Sequence, residues 1–340
     1  MTRQNYYARR KLRKRRAVDG ELVARLVKGE RCLQPRLGAR KMRVLLREPL
    51  AQAGVQLGRD RFFEVLREHD LLLARRRSQR PTTTHSYHSL PVFRNLVKGR
   101  QAQGANEIWV GDLTYLRSAE GFMFLSLLTD QVSRHVVGYH CGDSLESIGC
   151  QEALKMALKQ LKAGQQPIHH SDRGSQYCCH AYVELASSRG LTMSMTEEDH
   201  CAENALAERM NGILKSEYGL DREFKTKVQL TQAVDQAILL YGTRRPHTAL
   251  GDRFPAQVHQ HLLAPPGPPC GVPGEWDPGA RPEPRIELGR PAPVGATPLA
   301  DHPSSRPAEV TNLNQDLTLF RKGREALGRV HELRDPWWWR

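Results

Sequence analysis

The chain has 340 residues, seven cysteines and a net charge of +14. No apolar run reaches the roughly 18 residues a membrane span needs, and the basic opening MTRQNYYARRKLRKRR has no apolar segment behind it, so a spanning helix and a secretory leader are set aside. Cys32, Cys141, Cys150, Cys178, Cys179, Cys201 and Cys270 are scattered, with no C-x-x-C pair, which suits reduced thiols in a cytoplasm better than a disulfide framework.

The charge is uneven. Residues 1–100 carry 26 Lys+Arg against 8 Asp+Glu, and residues 101–340 carry 25 against 29. A basic block of that size repels itself unless an anion neutralises it, so the first third predicts a nucleic-acid partner.

In chain order, residues 1–35 read as a basic arm continuing into a helical pattern on Leu22, Val23, Leu26 and Val27. Residues 36–80 hold two helical stretches. KMRVLLREPLAQAG runs from Gly38 to near Gly54, and RFFEVLREHDLLL follows an N-cap candidate at Asp60. With Arg75, Arg76 and Arg77 behind them, these two predict a small helix-turn-helix module. The alternative is a helical hairpin that only packs on the core. Residues 81–105 read as a linker.

From residue 106 the texture becomes mixed. EIWVGDLTYLRS, GFMFLSLLTDQ and HVVGYHCG predict three strands. SIGCQEALKMALKQLKAG predicts a helix ending at Gly164, PIHHSD a short buried strand, and QYCCHAYVELASSRG one helix. LTMSMT predicts a strand, and AENALAERMNGILKSEYG and VQLTQAVDQAILLYG two more helices. Neighbouring strands followed by alternating helices and strands describe an α/β domain with a mixed sheet. Residues 263–340 are dense in Pro and Gly and are expected to be largely disordered. The closing Trp337, Trp338 and Trp339 read as part of an accidental tail.

Three acidic residues stand out. Asp112 and Asp172 read as strand-end carboxylates, and Glu208 lies on a helix with 35 residues between it and Asp172. Strand ends are where ligands gather in α/β folds. Three converging carboxylates repel one another unless a cation lies between them, and oxygen donors select Mg²⁺ or Mn²⁺. Two such ions can clamp the attacking and leaving oxygens of a phosphodiester displacement. Taken singly, each residue is equally a turn aspartate or a solvated glutamate. His169 and His170 with Cys178, Cys179 and His180 fit no standard zinc spacing and read as buried strand residues.

The text around the carboxylates changes their weight. IWVGDLTYL (108–116), IHHSDRGSQYC (168–178), SMTEEDHCAENALAERMNGILKSEY (194–218) and YGTRRPHTALGDRFPAQVH (241–259) together resemble one family. It is the second-frame product (OrfB) of bacterial transposases of the insertion-sequence-three family, with a retroviral-integrase-like, ribonuclease-H-like catalytic core. QPRLGARKMRVLL and GRDRFFEVLREHDLLLARRR resemble the family's helix-turn-helix segment, and the likeness covers about residues 1–262. It implies an integrase-type core over 106–262 and an Asp-Asp-Glu triad on Asp112, Asp172 and Glu208, acting as catalytic residues and as ligands of Mg²⁺ or Mn²⁺, two ions in all.

Asn211 and Lys215 share a helix face with Glu208 at i+3 and i+7. With Arg245 and His247 of the downstream element, and Arg40, Lys41, Arg59, Arg75, Arg76 and Arg77 of the helical module, they are the expected DNA contacts. The resemblance further implies action on transposon ends and target DNA as a homo-multimer, with an upstream-frame (OrfA-type) protein as partner or fusion, in the bacterial cytoplasm at the nucleoid. Two departures are that Tyr241-Gly242 stands where the family often has Tyr-Asn, and that TEEDHCAEN is unusually acidic. A DNA-binding regulator or decayed copy without catalysis is the alternative, and metal-dependent nicking discriminates the two.

Overall fold

The computed structural model describes residues 3–74, 90–197 and 204–264, all within one compact unit, Met1–Val272. The expected disordered tail, its Trp cluster and Arg75, Arg76 and Arg77 lie outside the described residues. Among the described residues no helix is long and apolar enough to cross a membrane.

Four helices open the chain. α1 (Arg3–Leu33) is continuous, and α2 (Ala39–Leu45), α3 (Arg47–Gln52) and α4 (Arg59–Glu68) fold back on its second half. Val23, Val27, Leu37, Met42, Phe62, Val65 and Leu66 form their shared core. The expected single helix after Gly38 is two, because Pro49 has no N–H to give the Leu45 carbonyl and its ring crowds that group. The N-cap of α4 is Gly58, not Asp60. Asp60 stands in the first turn, paired with Arg59 at 2.9 Å, where a carboxylate still suits the helix dipole.

β1 (Ile108–Ser118), β2 (Gly121–Asp130) and β3 (Val136–Gly142) form an antiparallel meander. β4 (Ile168–Ser171) and β5 (Thr192–Met195) add in parallel on the far side of β1, giving the order β3-β2-β1-β4-β5. A two-residue β6 (Glu223–Phe224) pairs with the distal end of β1. α5 (Ser147–Leu158), α6 (Ser175–Cys178) and α7 (His180–Ser188) cover one sheet face through Trp109, Leu128, Val137 and Leu154. α8 (Ala205–Glu217) and α9 (Lys227–Arg244) cover the other through Leu116, Leu125, Ile213 and Leu230. A three-ten turn (Thr248–Leu250) and α10 (Pro255–Leu263) complete the described chain.

Several sequence expectations shift. α5 ends at Leu158 rather than Gly164. It seats against β3 only because Gly138 has no side chain, since a Cβ there would lie 2.1 Å from the Ala153 carbonyl oxygen. The single helix expected over 176–190 breaks at Cys179, whose backbone is extended. The break lets Tyr177 and Tyr182 both pack on the His169 ring, at 5.8 and 5.4 Å between centroids. In one continuous helix these residues, five apart, would point about 140° from each other. The end of the expected linker is not loose. Leu90 and Phe93 pack on one core, Val97 and Ala102 on another, and the Leu96 amide donates to Ser194 Oγ at 2.9 Å.

Candidate active site

Asp112 does not end its strand. It is the fifth residue of β1, which runs on to Ser118. What ends beside it is β4. The parallel register pairs Ile108 with Ile168 and Val110 with His170, and β4 stops at Ser171. Two residues beyond that last pair stand Asp112, still within β1, and Asp172, just past the end of β4, and the charge of Asp172 reaches Asp112.

Past Val110, β1 has no further pairing with β4, and β6 joins it only at Arg117. α8 covers the open stretch between. Asn204 Nδ2 donates to the Gly111 carbonyl at 3.2 Å, Asn211 Nδ2 to Asp112 Oδ2 at 2.7 Å, and Lys215 Nζ to Thr114 Oγ1 at 2.6 Å. Backbone and side-chain groups at a strand edge need such partners. Here they hold the helix in register with the strand. Glu208, in the first turn of α8, lies on the same helix face as Asn211 and Lys215 and is exposed.

The electrostatics follow from this arrangement. Burial pushes the Asp112 carboxyl up to about 7, and the neighbouring charges of Asp172 and, less strongly, Glu208 add to the push. The Asn211 hydrogen bond and the Leu113 amide, 2.9 Å from Asp112 Oδ1, oppose it. Asp172 Oδ1 accepts the Gly174 amide at 3.0 Å, closing an Asx-type turn. A Cβ on Gly174 would come within 3.0 Å of that same oxygen, so glycine keeps the carboxylate accessible. Among the described residues, no three His, Cys, Asp or Glu side chains stand together in an arrangement that could hold a metal ion. Asp172 and Glu208 are close enough to raise the proton affinity of Asp112 without the three being gathered around a single point.

The histidines beside Asp172 are core residues. His169 Nε2 meets the Tyr182 hydroxyl at 2.8 Å, and His170 Nδ1 meets Ser194 Oγ at 3.0 Å. Trp109 is fully buried, its indole N–H donating to Asn106 Oδ1 at 3.0 Å.

The expected DNA contacts divide. Arg40 and Arg59 are exposed. Lys215 is half-buried, 4.8 Å from the Tyr115 ring centre and beside Asp112. Asn211 is buried and occupied with Asp112. Arg245 is a correction. It is 2% exposed, and its guanidinium grips Glu217, with Nε 2.8 Å from Oε2 and Nη2 2.9 Å from Oε1. Lys41 Nζ adds a third bond to that carboxylate at 2.8 Å. Burial alone would raise the Glu217 carboxyl, but Arg245 and Lys41 hold it below its usual range. His247 is half-buried and pushed down to about 4 by burial and by the cations around it, Arg245 foremost.

Sequence reading missed the joint this makes. Glu217 closes the helix that Glu208 opens, and its backbone carbonyl accepts the Arg36 amide at 3.1 Å. Arg244 clasps Glu30 of α1 at 2.8 and 2.7 Å. Gln34 bonds Glu30 and receives the Tyr218 hydroxyl. The only sequence signal was the adjacent Arg244-Arg245 pair, and nothing in it names the carboxylates.

Fold and site thus define a class, the integrase core. The Integrase core domain family matches residues 102–201, and a second Integrase core domain family matches 189–255. Among curated proteins the chain is 34% identical to the insertion element IS600 uncharacterized 31 kDa protein of Shigella sonnei, over 64% of this chain and 82% of that one. It is also 34% identical to the transposase InsF for insertion sequence IS3A of Escherichia coli (strain K12), over 52% of this chain and 62% of that one. Of solved structures, the HTLV-2 integrase catalytic core domain in complex with magnesium aligns over 47% of this chain and 99% of that one, with 21% identity and a TM-score of 0.37. The chain belongs to the IS3-type family of DDE transposases, enzymes that move insertion sequences in DNA.

Proposed function

We propose that Asp112, Asp172 and Glu208 are the catalytic carboxylates of this transposase and together hold divalent cations. One observation carries the reading: the β1–β4 pairing ends at Val110 and His170, each two residues before an aspartate, Asp112 and Asp172, while Glu208 on α8 is near enough that its charge and that of Asp172 both raise the Asp112 carboxyl. The chemistry of the donors suits a hard cation, although the three side chains must draw closer than they stand here to share one. All three proposed ligands are oxygen donors, and a positive charge would offset the burial and, second to it, the neighbouring carboxylates that raise the Asp112 carboxyl to about 7. Mg²⁺ or Mn²⁺ held by Asp112, Asp172 and Glu208, two ions on this reading, would polarise a phosphodiester and acidify the attacking hydroxyl.

The chain's own residues do the rest. Asn211 fixes the rotamer of Asp112, and the Gly174 amide fixes that of Asp172. Lys215, beside Asp112, offers its ammonium to a DNA phosphate as the strand enters. The reaction is hydrolysis at the element's ends, followed by in-line attack of the freed 3′-hydroxyl on a target phosphodiester. The P–O bond to the target strand forms as the bond to its departing 3′-oxygen breaks.

Residues 36–80 serve as a helix-turn-helix-like DNA reader behind the basic arm of 1–35, joined to the 106–262 core by the segment 81–105, with 263–340 as a tail. Two or more copies act together on paired DNA ends in the bacterial cytoplasm, with an OrfA-type product as partner or fusion.

The test is strand transfer on element-end DNA by Asp112→Asn, Asp172→Asn and Glu208→Gln. Each is expected to abolish Mg²⁺- or Mn²⁺-dependent joining while DNA binding persists. Joining at the wild-type rate by any one of them removes that residue from the set.

A further inference from the structure

Behind the carboxylates, α8 presents a second, opposite face. Glu208, Asn211 and Lys215 look toward β1, whereas Leu206, Arg209, Met210 and Ile213 line a cavity of about 340 Å³. Tyr241 and His247 close its other side, and Thr129 and Arg134 its end.

Its walls are mostly apolar, yet it gathers cationic and unsatisfied polar groups. Arg134 Nε, His247 Nδ1 and Thr129 Oγ1 are all buried without a hydrogen-bond partner, and Thr129 is only 1% exposed. Native interiors rarely leave such atoms unmade, because each costs the desolvation of a polar group. Among the described residues neither Arg134 nor Arg209 forms an ion pair, whereas nearby Arg245 and Lys41 are neutralised by Glu217. Burial first, then Arg245, Arg134, Lys41 and Arg209, push His247 down, and of these cations Arg134 and Arg209 line the cavity.

Arg134 is also held there against its own backbone preference. Its φ is +61°, a left-handed conformation that costs a non-glycine residue energy. The turn is over-determined by Asp130, whose Oδ1 accepts the Ser133 amide at 2.8 Å and the Ser133 hydroxyl at 2.6 Å. The Asp130 amide donates to the His135 carbonyl, and its carbonyl accepts the Arg134 amide. Strain kept in place by surrounding bonds is characteristic of ligand clamps.

We propose that this cavity is a subsite for one nucleotide of the DNA strand flanking the reacting phosphodiester, its phosphate between Arg134 and Arg209 and its sugar or base against Met210, Ile213 and Tyr241. The proposal rests on the transposase reading and assigns a part of the DNA that reading leaves unplaced. Arg209 follows Glu208 directly in α8, so a phosphate seated here ties the strand to the helix that carries a catalytic carboxylate. An apolar wall with two guanidiniums that form no ion pair among the described residues suits a nucleotide better than a bare anion, which gains nothing from the wall.

The experiment uses the full chain and a DNA duplex of mixed sequence, with binding followed by fluorescence anisotropy across a salt series. Arg134→Gln/Arg209→Gln is expected to make the dependence of log K on log salt shallower by about 0.9 for the lost phosphate contact. Ala249→Trp, which fills the cavity from an exposed position without changing charge, is expected to weaken binding at every salt concentration while thermal melting stays as in the wild type. Wild-type affinity and slope in both variants overturn the subsite. So does thymidine 5′-monophosphate that saturates the protein and is not displaced by duplex, because the cavity then serves a free nucleotide. Asp112→Asn run beside them separates the two readings. If it loses joining while the cavity variants bind and join normally, the subsite falls and the transposase chemistry stands. If it joins normally, the catalytic assignment falls and the salt slopes still decide the subsite.

Discussion

Asn211 Nδ2 lies 2.7 Å from Asp112 Oδ2, spanning from the middle of α8 to the middle of β1. The bond does two things at once. It pins the helix that carries Glu208 to the strand that carries Asp112, and it lowers the proton affinity of a carboxyl that burial and two neighbouring carboxylates raise.

Replacing Asn211 with alanine therefore leaves Asp112 unoriented and more readily protonated. Groups that orient metal-ligating side chains typically contribute about 10- to 100-fold to metal affinity or activity. Asn211→Ala is expected to lower strand transfer by a factor in that range and to require more Mn²⁺ for half-maximal rate, with far-UV circular dichroism unchanged. A wild-type metal titration would show that the contact is packing alone.

Arg245 is a stability residue in this arrangement. It is 2% exposed and bonds Glu217 twice, in a carboxylate that is itself only 17% exposed. Removing one partner of a buried pair costs about 3–5 kcal/mol, because the other charge is left stranded. Arg245→Met is expected to lower the urea midpoint accordingly. Arg245→Met/Glu217→Leu should recover part of the loss. A midpoint unchanged in the single variant would place the guanidinium in solvent.

The buried histidines set the pH response of the fold. Ser133 Oγ stands between Asp130 Oδ1, at 2.6 Å, and His259 Nδ1, at 2.9 Å. Its one proton goes to the ionised carboxylate, so His259 donates from Nδ1 and stays neutral. The 3.9 Å separation of His259 and Asp130 therefore reads as a bridged contact, and burial pushes His259 down to about 4. His135 is likewise pushed to about 4 by burial and by His259.

A folded-state value below that of the unfolded chain means that stability is full above about 6.5 and is lost as pH falls from there toward 4. For His259, 3% exposed, the loss between pH 7.5 and 5 is on the order of 2 kcal/mol. Asp130, raised by burial, offsets part of it. Chemical denaturation at the two pH values should show the fall, and His259→Gln should flatten it. An equally steep profile in that variant would move the effect to other groups.

DNA binding by the whole chain should weaken steeply with salt. Of 51 Lys+Arg, 26 lie in residues 1–100, beside only 8 acidic residues. Each phosphate contact adds about −0.9 to the slope of log K against log salt. Arg40→Gln/Arg59→Gln, both at exposed positions, should reduce that slope without altering the melting temperature. An unchanged slope would leave these two side chains off the DNA.

The elements that were legible in the sequence are those whose signal is local. Runs of apolar and β-branched residues broken by Gly121 and by Asp130–Arg134 marked β1, β2 and β3, and longer apolar-rich stretches marked α8 and α9. Glycine and proline located most ends. Local signals failed where a distant group decided the outcome. The α6–α7 break follows from two tyrosines meeting His169. The ordered stretch from Leu90 follows from partners about a hundred residues away on β5 and after it, Ser194 and Glu197.

For the site, the sequence by itself pointed to Asp112, Asp172 and Glu208, because the motif text around them resembles the family to which the chain belongs. It could not determine how Asp112 is presented, reading as a strand end what is the middle of β1. Only the tertiary structure decided that β4 stops where Asp112 needs an open edge and that α8 fills it. It alone decided that Arg245, expected from the sequence to contact DNA, turns inward to Glu217. The physical reason is the same each time. A residue's type sets what it can bind, but hydrogen-bond partners and burial depend on chain segments folded together from far apart, and spacing along one chain does not encode them.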